Sequence, residues 1–306
     1  MKKEANYPYV INSISELHRL LGLPKPEHPL ISVIDMSGIK CHFDADMKSV
    51  IYNFYSICTK NDFKGNLKYG QNYYDFDGGV MTFFSPGQVL SIENTEELVL
   101  NGMWLVVHPD FLQGYQLAKA IKDYGYFSYA VNEALHLSDK EEQMVTTVMH
   151  NIEQEYQSVI DKFSQDVIIS HVELLLNYSN RFYNRQFITR KNANNDLLIN
   201  METILSDYFN SDKVREKGLP TVQYLADELN ISPNYLSDML RSLTGQNTQQ
   251  HIHNKLIEKA KEVLSTTTLS VSEIAYQLGF EYPQSFSKLF KSKTNESPLE
   301  FRHHFN

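Results

Sequence analysis

The chain has 306 residues, 42% hydrophobic and 21% charged, which is the mixture of ordinary folded proteins and excludes a mainly disordered chain. At about 100–200 residues per domain, the length suits two domains. Lys and Arg number 28 against 37 Asp and Glu, a formal net charge of −9. That sign excludes a protein that coats nucleic acid without discrimination, so any DNA contact must come from a local patch. No apolar run reaches the roughly 18 residues of a membrane span, and residues 1–20 carry Lys2 and Lys3 without the apolar stretch of a secretory leader. A cytoplasmic chain is expected. Cys41 and Cys58 form no CxxC pair; both are expected to be reduced core thiols, with no disulfide framework or cysteine zinc site.

Short apolar or alternating runs occupy residues 31–36, 49–58, 80–84, 89–92, 98–100 and 103–107. In the second run Val50, Tyr52 and Phe54 alternate with Ile51, Tyr55 and Ile57, so both faces carry bulk, as in a wall between two sheets or inside a barrel. The breaks contain Gly38, Gly65, Asp77-Gly78-Gly79, Pro86-Gly87 and Asn101-Gly102, which is turn chemistry. Strands spaced in this way, with no helical pattern between them, predict an antiparallel sandwich or barrel.

After His108 the period changes. Ser138 followed by Glu141 resembles a capping box and opens a predicted helix to about residue 160. A second predicted helix covers residues 164–183, with Ile168, Val172, Leu175 and Phe182 at helical spacing and Val167, Leu174 and Tyr178 beside them. That stripe is wider than one helix needs to lie on a sheet; it packs wholly on its own sheet or partly on a second subunit. Residues 187–196 include a polar tract without apolar period, predicted to be the linker between domains 1–190 and 197–306. The second domain reads as helices joined by short breaks.

Within the last 110 residues one pattern occurs twice. Leu225-Ala226 followed by Leu229 matches Ile274-Ala275 followed by Leu278, while Pro233, Leu236, Ser237, Leu240, Arg241 and Thr244 match Pro283, Phe286, Ser287, Phe290, Lys291 and Thr294 at an offset of 50. Each copy, at about residues 221–244 and 271–294, reads as a helix-turn-helix. A small residue, Ala226 or Ala275, lets the second helix cross closely; Asn230 or Gly279 supplies a turn that tolerates positive φ; and Pro233 or Pro283 begins the second helix, where a missing N–H costs nothing. In the second helices Leu236, Met239 and Leu240, like Phe286, Leu289 and Phe290, form an apolar stripe. Asn234, Ser237, Asp238 and Arg241, like Gln284, Ser285, Ser287, Lys288 and Lys291, are left to face outward. These short polar or cationic side chains can reach base edges and phosphates in a major groove. Between the copies, residues 248–264 place Ile252, Leu256, Ile257, Ala260, Val263 and Leu264 at helical spacing, predicting a connecting helix of roughly 25 Å.

The last 110 residues resemble the DNA-binding domain of the AraC/XylS family of bacterial transcription regulators. The resemblance rests on Leu225-Ala226, residues 232–240, Thr244-Gly245, Ile257 with Ala260, Ile274-Ala275, Leu278-Gly279-Phe280, Phe286, Phe290 and the closing Ser297-Pro298-Leu299-Glu300-Phe301-Arg302. It implies recognition helices in adjacent major grooves, with DNA contacts from the outward residues named above and from Tyr235. It also implies a cupin-like effector-binding and dimerisation domain ahead of them, giving an α+β chain of two domains. The implied partners are double-stranded operator or promoter DNA, RNA polymerase, a second copy of the chain and a small-molecule effector, the alternative being a constitutive DNA-binding factor without effector. No cofactor, metal or membrane is expected. Family members often carry Gln, Arg or Trp at the base-reading positions of the first recognition helix, where this chain has Asn234, Ser237 and Asp238. Asp238 can accept from a cytosine amino group or screen neighbouring cations, and the second recognition helix is expected to carry at least its share of base readout.

A cupin-like domain can also be a metal enzyme, but that chemistry needs two or three His with a carboxylate around one ion. The His residues of the first 196 positions are scattered, and only His42, Asp44 and Asp46 alternate in a way that could line one strand face; a solvated loop is the simpler reading. His251 and His253, two apart on a helix, point to different faces. No catalytic site is expected. Tyr52, Phe54, Tyr69, Tyr73, Tyr74, Phe83, Phe84 and Trp104 either stack on a small effector or form plain core. Residues 197–306 carry 8 Lys and 3 Arg against 4 Asp and 9 Glu, a net of −2, leaving −7 for the first 196. Within the second region Lys288, Lys291 and Lys293 form a cationic edge, whereas Asp227, Glu228 and Asp238 dilute the first copy.

Overall fold

The structure, a computed structural model, describes residues 8–39, 49–60, 67–69, 72–74, 79–91, 101–130, 133–159 and 161–304. Cys41 and the alternating His42, Asp44 and Asp46 lie outside them, as does the run at residues 98–100. The chain divides into two compact units, residues 1–186 and 187–306.

The first unit begins with β1 (Tyr9–Ile11), α1 (Ile14–Leu20), β2 (Ile31–Asp35), β3 (Ser49–Tyr52) and β4 (Tyr55–Lys60). It continues with β5 (Leu67–Tyr69), β6 (Asn72–Tyr74), β7 (Val80–Phe84), β8 (Val89–Ser91) and β9 (Met103–Val107). A short helix α2 (Leu117–Ala120) amid 3-10 turns leads to β10 (Leu135–His136), α3 (Asp139–Gln157) and α4 (Ser164–Thr189). The expected α+β organisation is present. Among the described residues the strands form sheets of order β1-β3-β8, β10-β7-β4-β9-β2 and β5-β6, and none closes into a barrel. All pairs are antiparallel except β1 with β3, which is parallel.

The run at residues 49–58 is not one strand. It bends at Asn53-Phe54, so that β3 lies in one sheet and β4 in another. The bend is held by the Asn53 N–H on the Ile11 carbonyl at 3.1 Å and by the fully buried Phe54 ring. Both flanking strands therefore carry bulk on inward positions, which produced the two-faced alternation. Cys58 and Ile34 both pair with Trp104 in register. This face packs with Val50, Tyr52, Phe54 and Ile11 into one core cluster, so the sandwich reading holds where the barrel does not. Of the aromatics named above, Tyr52 and Phe54 stack on each other, Trp104 lies edge-on to Tyr52, and Phe83 packs on Tyr126. Burial pushes the Cys58 thiol up to about 12, the behaviour of an inert core cysteine.

Gly102 fixes the entry to β9. Its φ is +137°, and a Cβ there would collide with the Thr59 carbonyl, so only glycine lets the two backbones approach. The sheet's edges are closed by side chains from the helices. The Val33 N–H of edge strand β2 donates to the Tyr156 hydroxyl at 3.0 Å, and the His136 N–H of β10 donates to Gln186 Oε1 at 2.8 Å, which removes open donors from both edges. The N-cap expected at Ser138 is present: its backbone N–H donates to Glu141 at 2.9 Å. The same carboxylate receives the Arg185 guanidinium in a two-pronged pair. α4 extends beyond the expected residue 183 to Thr189. Of its stripe, Ile168, Val172, Leu175 and Phe182 are buried, whereas Val167 and Leu174 are 38% and 40% exposed.

The second unit is helical. The tract read as a linker is not a loop: α4 ends at Thr189, and after Arg190 the helix α5 (Lys191–Asn210) begins. Polarity without an apolar period hid a helix whose inward Asn194 is buried and donates to the Phe187 carbonyl at 2.7 Å. Then follow α6 (Lys213–Lys217), α7 (Val222–Leu229), α8 (Pro233–Thr244), α9 (Thr248–Thr266), α10 (Val271–Gln277), α11 (Pro283–Thr294) and α12 (Pro298–His303). α9 is the connecting helix, its 19 residues spanning about 28 Å. Ile252, Leu256, Ile257, Ala260 and Leu264 are buried along it.

Candidate nucleic-acid interface

The two helix pairs, α7–α8 and α10–α11, repeat in bonding as well as in sequence. After each first helix the chain turns back with the same hydrogen bond, Ile231 N–H to the Ala226 carbonyl in one and Phe280 N–H to the Ala275 carbonyl in the other, both at 3.0 Å. Ala226 and Ala275 are fully buried where the helices cross. Each second helix closes with a threonine hydroxyl on the carbonyl four residues back, Thr244 to Leu240 and Thr294 to Phe290, both at 2.8 Å. A left-handed residue follows, Gly245 at φ 76° or Asn295 at φ 65°.

The turns differ. Asn230 takes the left-handed conformation at φ 55°, two residues before Ser232, whose hydroxyl accepts from the Tyr235 N–H at the start of α8. In the second copy Gly279 sits at φ +82°, where a Cβ would come within 2.6 Å of the Val214 carbonyl. One more residue precedes Pro283, and the N-cap is Tyr282, which makes no side-chain capping bond.

The structure sorts the candidate residues unevenly. On α8, Asn234 and Arg241 are exposed, while Ser237 and Asp238 are half-buried. The Ser237 hydroxyl shares a hydrogen bond with Thr248 at 2.9 Å, and Asp238 pairs with Arg241 at 2.6 Å. Tyr235 is not an outward residue. It is 6% exposed and packs edge-on against Phe187, because its position on α8 falls beside the apolar stripe rather than opposite it. On α11, Gln284, Ser285, Lys288 and Lys291 are exposed and Ser287 is half-buried. No carboxylate lies within ion-pair distance of Lys288, Lys291 or Lys293 among the described residues. The cationic edge thus belongs to α11, and the one cation of α8 is matched by its own acid.

His251 and His253 are separated as expected. His251 bonds the Thr244 hydroxyl and His253 bonds Gln249, each at 2.9 Å. Among the described residues no cluster of three His, Cys, Asp or Glu is placed to hold a metal, and no helix is long and apolar enough to cross a membrane. Sequence reasoning missed Tyr282 at the tip of α11, 59% exposed beside Gln284 and Ser285. An aromatic in the capping position that Ser, Thr or Asn takes in α7, α8, α9, α10 and α12 was the available signal.

Residues 225–304 match a family model described as a helix-turn-helix domain. Over 265 residues the chain is 27% identical to the HTH-type transcriptional activator RhaS of Escherichia coli O81, covering 84% of this chain and 88% of that one. Over 98 residues it is 28% identical to histidine kinase P4 of Formosa agariphila, covering 31% of this chain and only 7% of the kinase's length. Among solved structures, the C-terminal domain of the response regulator yesN from Fusobacterium nucleatum is 31% identical, with 33% of this chain and 93% of that one covered, at a TM-score of 0.30.

Proposed function

This chain belongs to the AraC/XylS family of transcription regulators, and from that premise we propose that α8 and α11 enter successive major grooves on one face of a duplex as its two sequence readers. The observation that carries this reading is the duplication of the helix pair, with the same turn-back and closing hydrogen bonds, at the two ends of a helix of about 28 Å. That length, with the widths of the flanking helices, is of the order of one turn of DNA, roughly 34 Å. Asn234 and Ser237 face bases from α8, with Asp238 beside them, and Gln284, Ser285, Ser287 and Lys288 face them from α11. Arg241 and Lys291, further along their helices, hold phosphates. The Asp238–Arg241 pair favours a screening role for Asp238 over readout of cytosine. With a net charge of −2 in residues 197–306, phosphate contacts are few and non-specific affinity is modest.

Residues 1–190 regulate residues 197–306 in this reading, through an effector or through pairing of two chains. Two observations support such a role. Ser56 Oγ and Trp104 Nε1 are buried in the sandwich without hydrogen-bond partners among the described residues, an arrangement that costs free energy unless a polar molecule can satisfy them. On α4 the exposed Val167 and Leu174 share one face with Tyr178, a stripe suited to a second copy of the chain. Like RhaS, whose name states activation, the protein activates transcription, with RNA polymerase as its further partner.

Selection of sites from random DNA by the full chain at about 0.15 M salt tests the reading. The expected product is a pair of short conserved blocks one helical turn apart, about 10 base pairs between centres. Enrichment of a single block, or of none, overturns it.

A further inference from the structure

The first unit contains a cavity outside the sandwich. About 260 Å³ lies between the segment leading into β2, the turn after β9, the end of α3 and the start of α4. That is near the lower end of small-molecule pockets, roughly 300 Å³. Its floor is apolar: Phe111, Ile168 and the ring of Tyr156 are 3%, 2% and 6% exposed. Gln165 is fixed in the wall by its amide donating to the Phe111 carbonyl at 2.8 Å.

The rim has a different chemistry. His28 Nδ1 accepts the Leu30 N–H at 3.1 Å, which places the proton of the neutral ring on Nε2. Burial holds the pKa of His28 below its ordinary value, and the ring lies at 85° to Phe111 with centroids 5.3 Å apart. Two charged residues line the same cavity. Asp161 is engaged at the head of α4, where its carboxylate accepts the N–H groups of Phe163 and Ser164 at 2.7 and 3.1 Å. Lys162, 4.7 Å above the Phe163 ring, has no carboxylate within ion-pair distance among the described residues. The rim thus offers a cation and an N–H donor above an apolar floor.

We propose that this cavity is a binding site for a small organic monocarboxylate with a compact aromatic or branched apolar body, its carboxylate at Lys162 and His28 and its body on Phe111, Ile168 and Tyr156. The site is separate from the sandwich interior and from the helices that face DNA. Binding is measured without DNA, so its failure leaves the reading of α8 and α11 untouched.

The test uses the full chain with isotope-labelled isoleucine methyl groups, titrated at constant ionic strength with phenylacetate, 3-methylbutanoate and phenylacetamide. The expected result is a saturable shift of the Ile168 methyl with either acid, and at least about tenfold weaker binding of the amide. Lys162→Gln, a change at an exposed position, removes the preference for acid over amide. His28→Phe keeps the ring against Phe111 but lowers acid affinity roughly fivefold or more. No saturable shift up to about 10 mM, equal binding of acid and amide, or an unchanged preference in Lys162→Gln overturns the proposal.

Discussion

The two helix-turn-helix copies share a backbone plan and differ in what each leaves at its surface. α8 begins with a satisfied cap at Ser232, follows a turn built on Asn230, and matches Arg241 with Asp238. α11 begins at an uncapped Tyr282, follows a turn that only glycine fits, and presents Lys288, Lys291 and Lys293 without ion-pair partners among the described residues. The cation of the first copy is paired within its own helix, while the lysines of the second have no carboxylate within ion-pair distance among the described residues. The packing positions repeat between the copies while the outward positions differ, and in the proposed reading that difference gives the two helices unequal roles.

The largest expected difference is in the turns. Gly279→Ala adds the cost of a left-handed alanine, about 1–2 kcal/mol, to a clash with the Val214 carbonyl, and should lose roughly 3 kcal/mol or more in urea unfolding of the full chain. Asn230→Ala at the matching turn should lose only about 1 kcal/mol; equal losses would break the contrast. Next come the base-facing positions. Lys288→Ala should reduce discrimination at one or two base positions by about 1–3 kcal/mol, measured on a panel of single-base variants of the selected site. Asp238→Asn should release Arg241, raising affinity for all sequences and steepening the salt dependence by about one unit of slope. Loss of preference at a single cytosine instead would assign Asp238 to readout. Ser232→Ala should destabilise by about 1 kcal/mol, whereas Tyr282→Ser, by supplying a cap, should stabilise by a similar amount in the absence of DNA. The smallest effect is Lys291→Ala, which should weaken binding evenly across sequences and flatten the salt slope by about one. If Lys288→Ala and Lys291→Ala act identically on the panel, the division between base and phosphate contacts fails.

Much of the second unit could be read in the sequence because its repeat fixes both the helical period and the special backbone positions. Ala226, Asn230 and Pro233 each have one physical role, and Ala275, Gly279 and Pro283 repeat it. The apolar positions of α9 were legible for the same reason. The burial of Tyr235 was not legible, because one step along a helix turns a side chain by about 100°, enough to carry a boundary residue into the core. α5 was hidden because its first turn is polar, and α1 because its apolar stripe is short. In the first unit strand runs at 31–36, 80–84 and 103–107 were correct to within a residue or two. The bend at Asn53-Phe54 was invisible, since alternation continues through it while the strand changes sheet. The small cavity at His28 and Lys162 draws on four distant segments, and no local pattern joins them.

The central claim is that two similar helices read two separate stretches of one DNA face. Hydroxyl-radical footprinting of the selected site at about 0.15 M salt, with the wild-type chain and with Asn234→Ala and Lys288→Ala, tests it most directly. The account predicts, for each bound chain, two protected patches about 10 base pairs apart on one face of the duplex, with each substitution weakening a different patch. One continuous patch, or the same patch weakened by both substitutions, would contradict it.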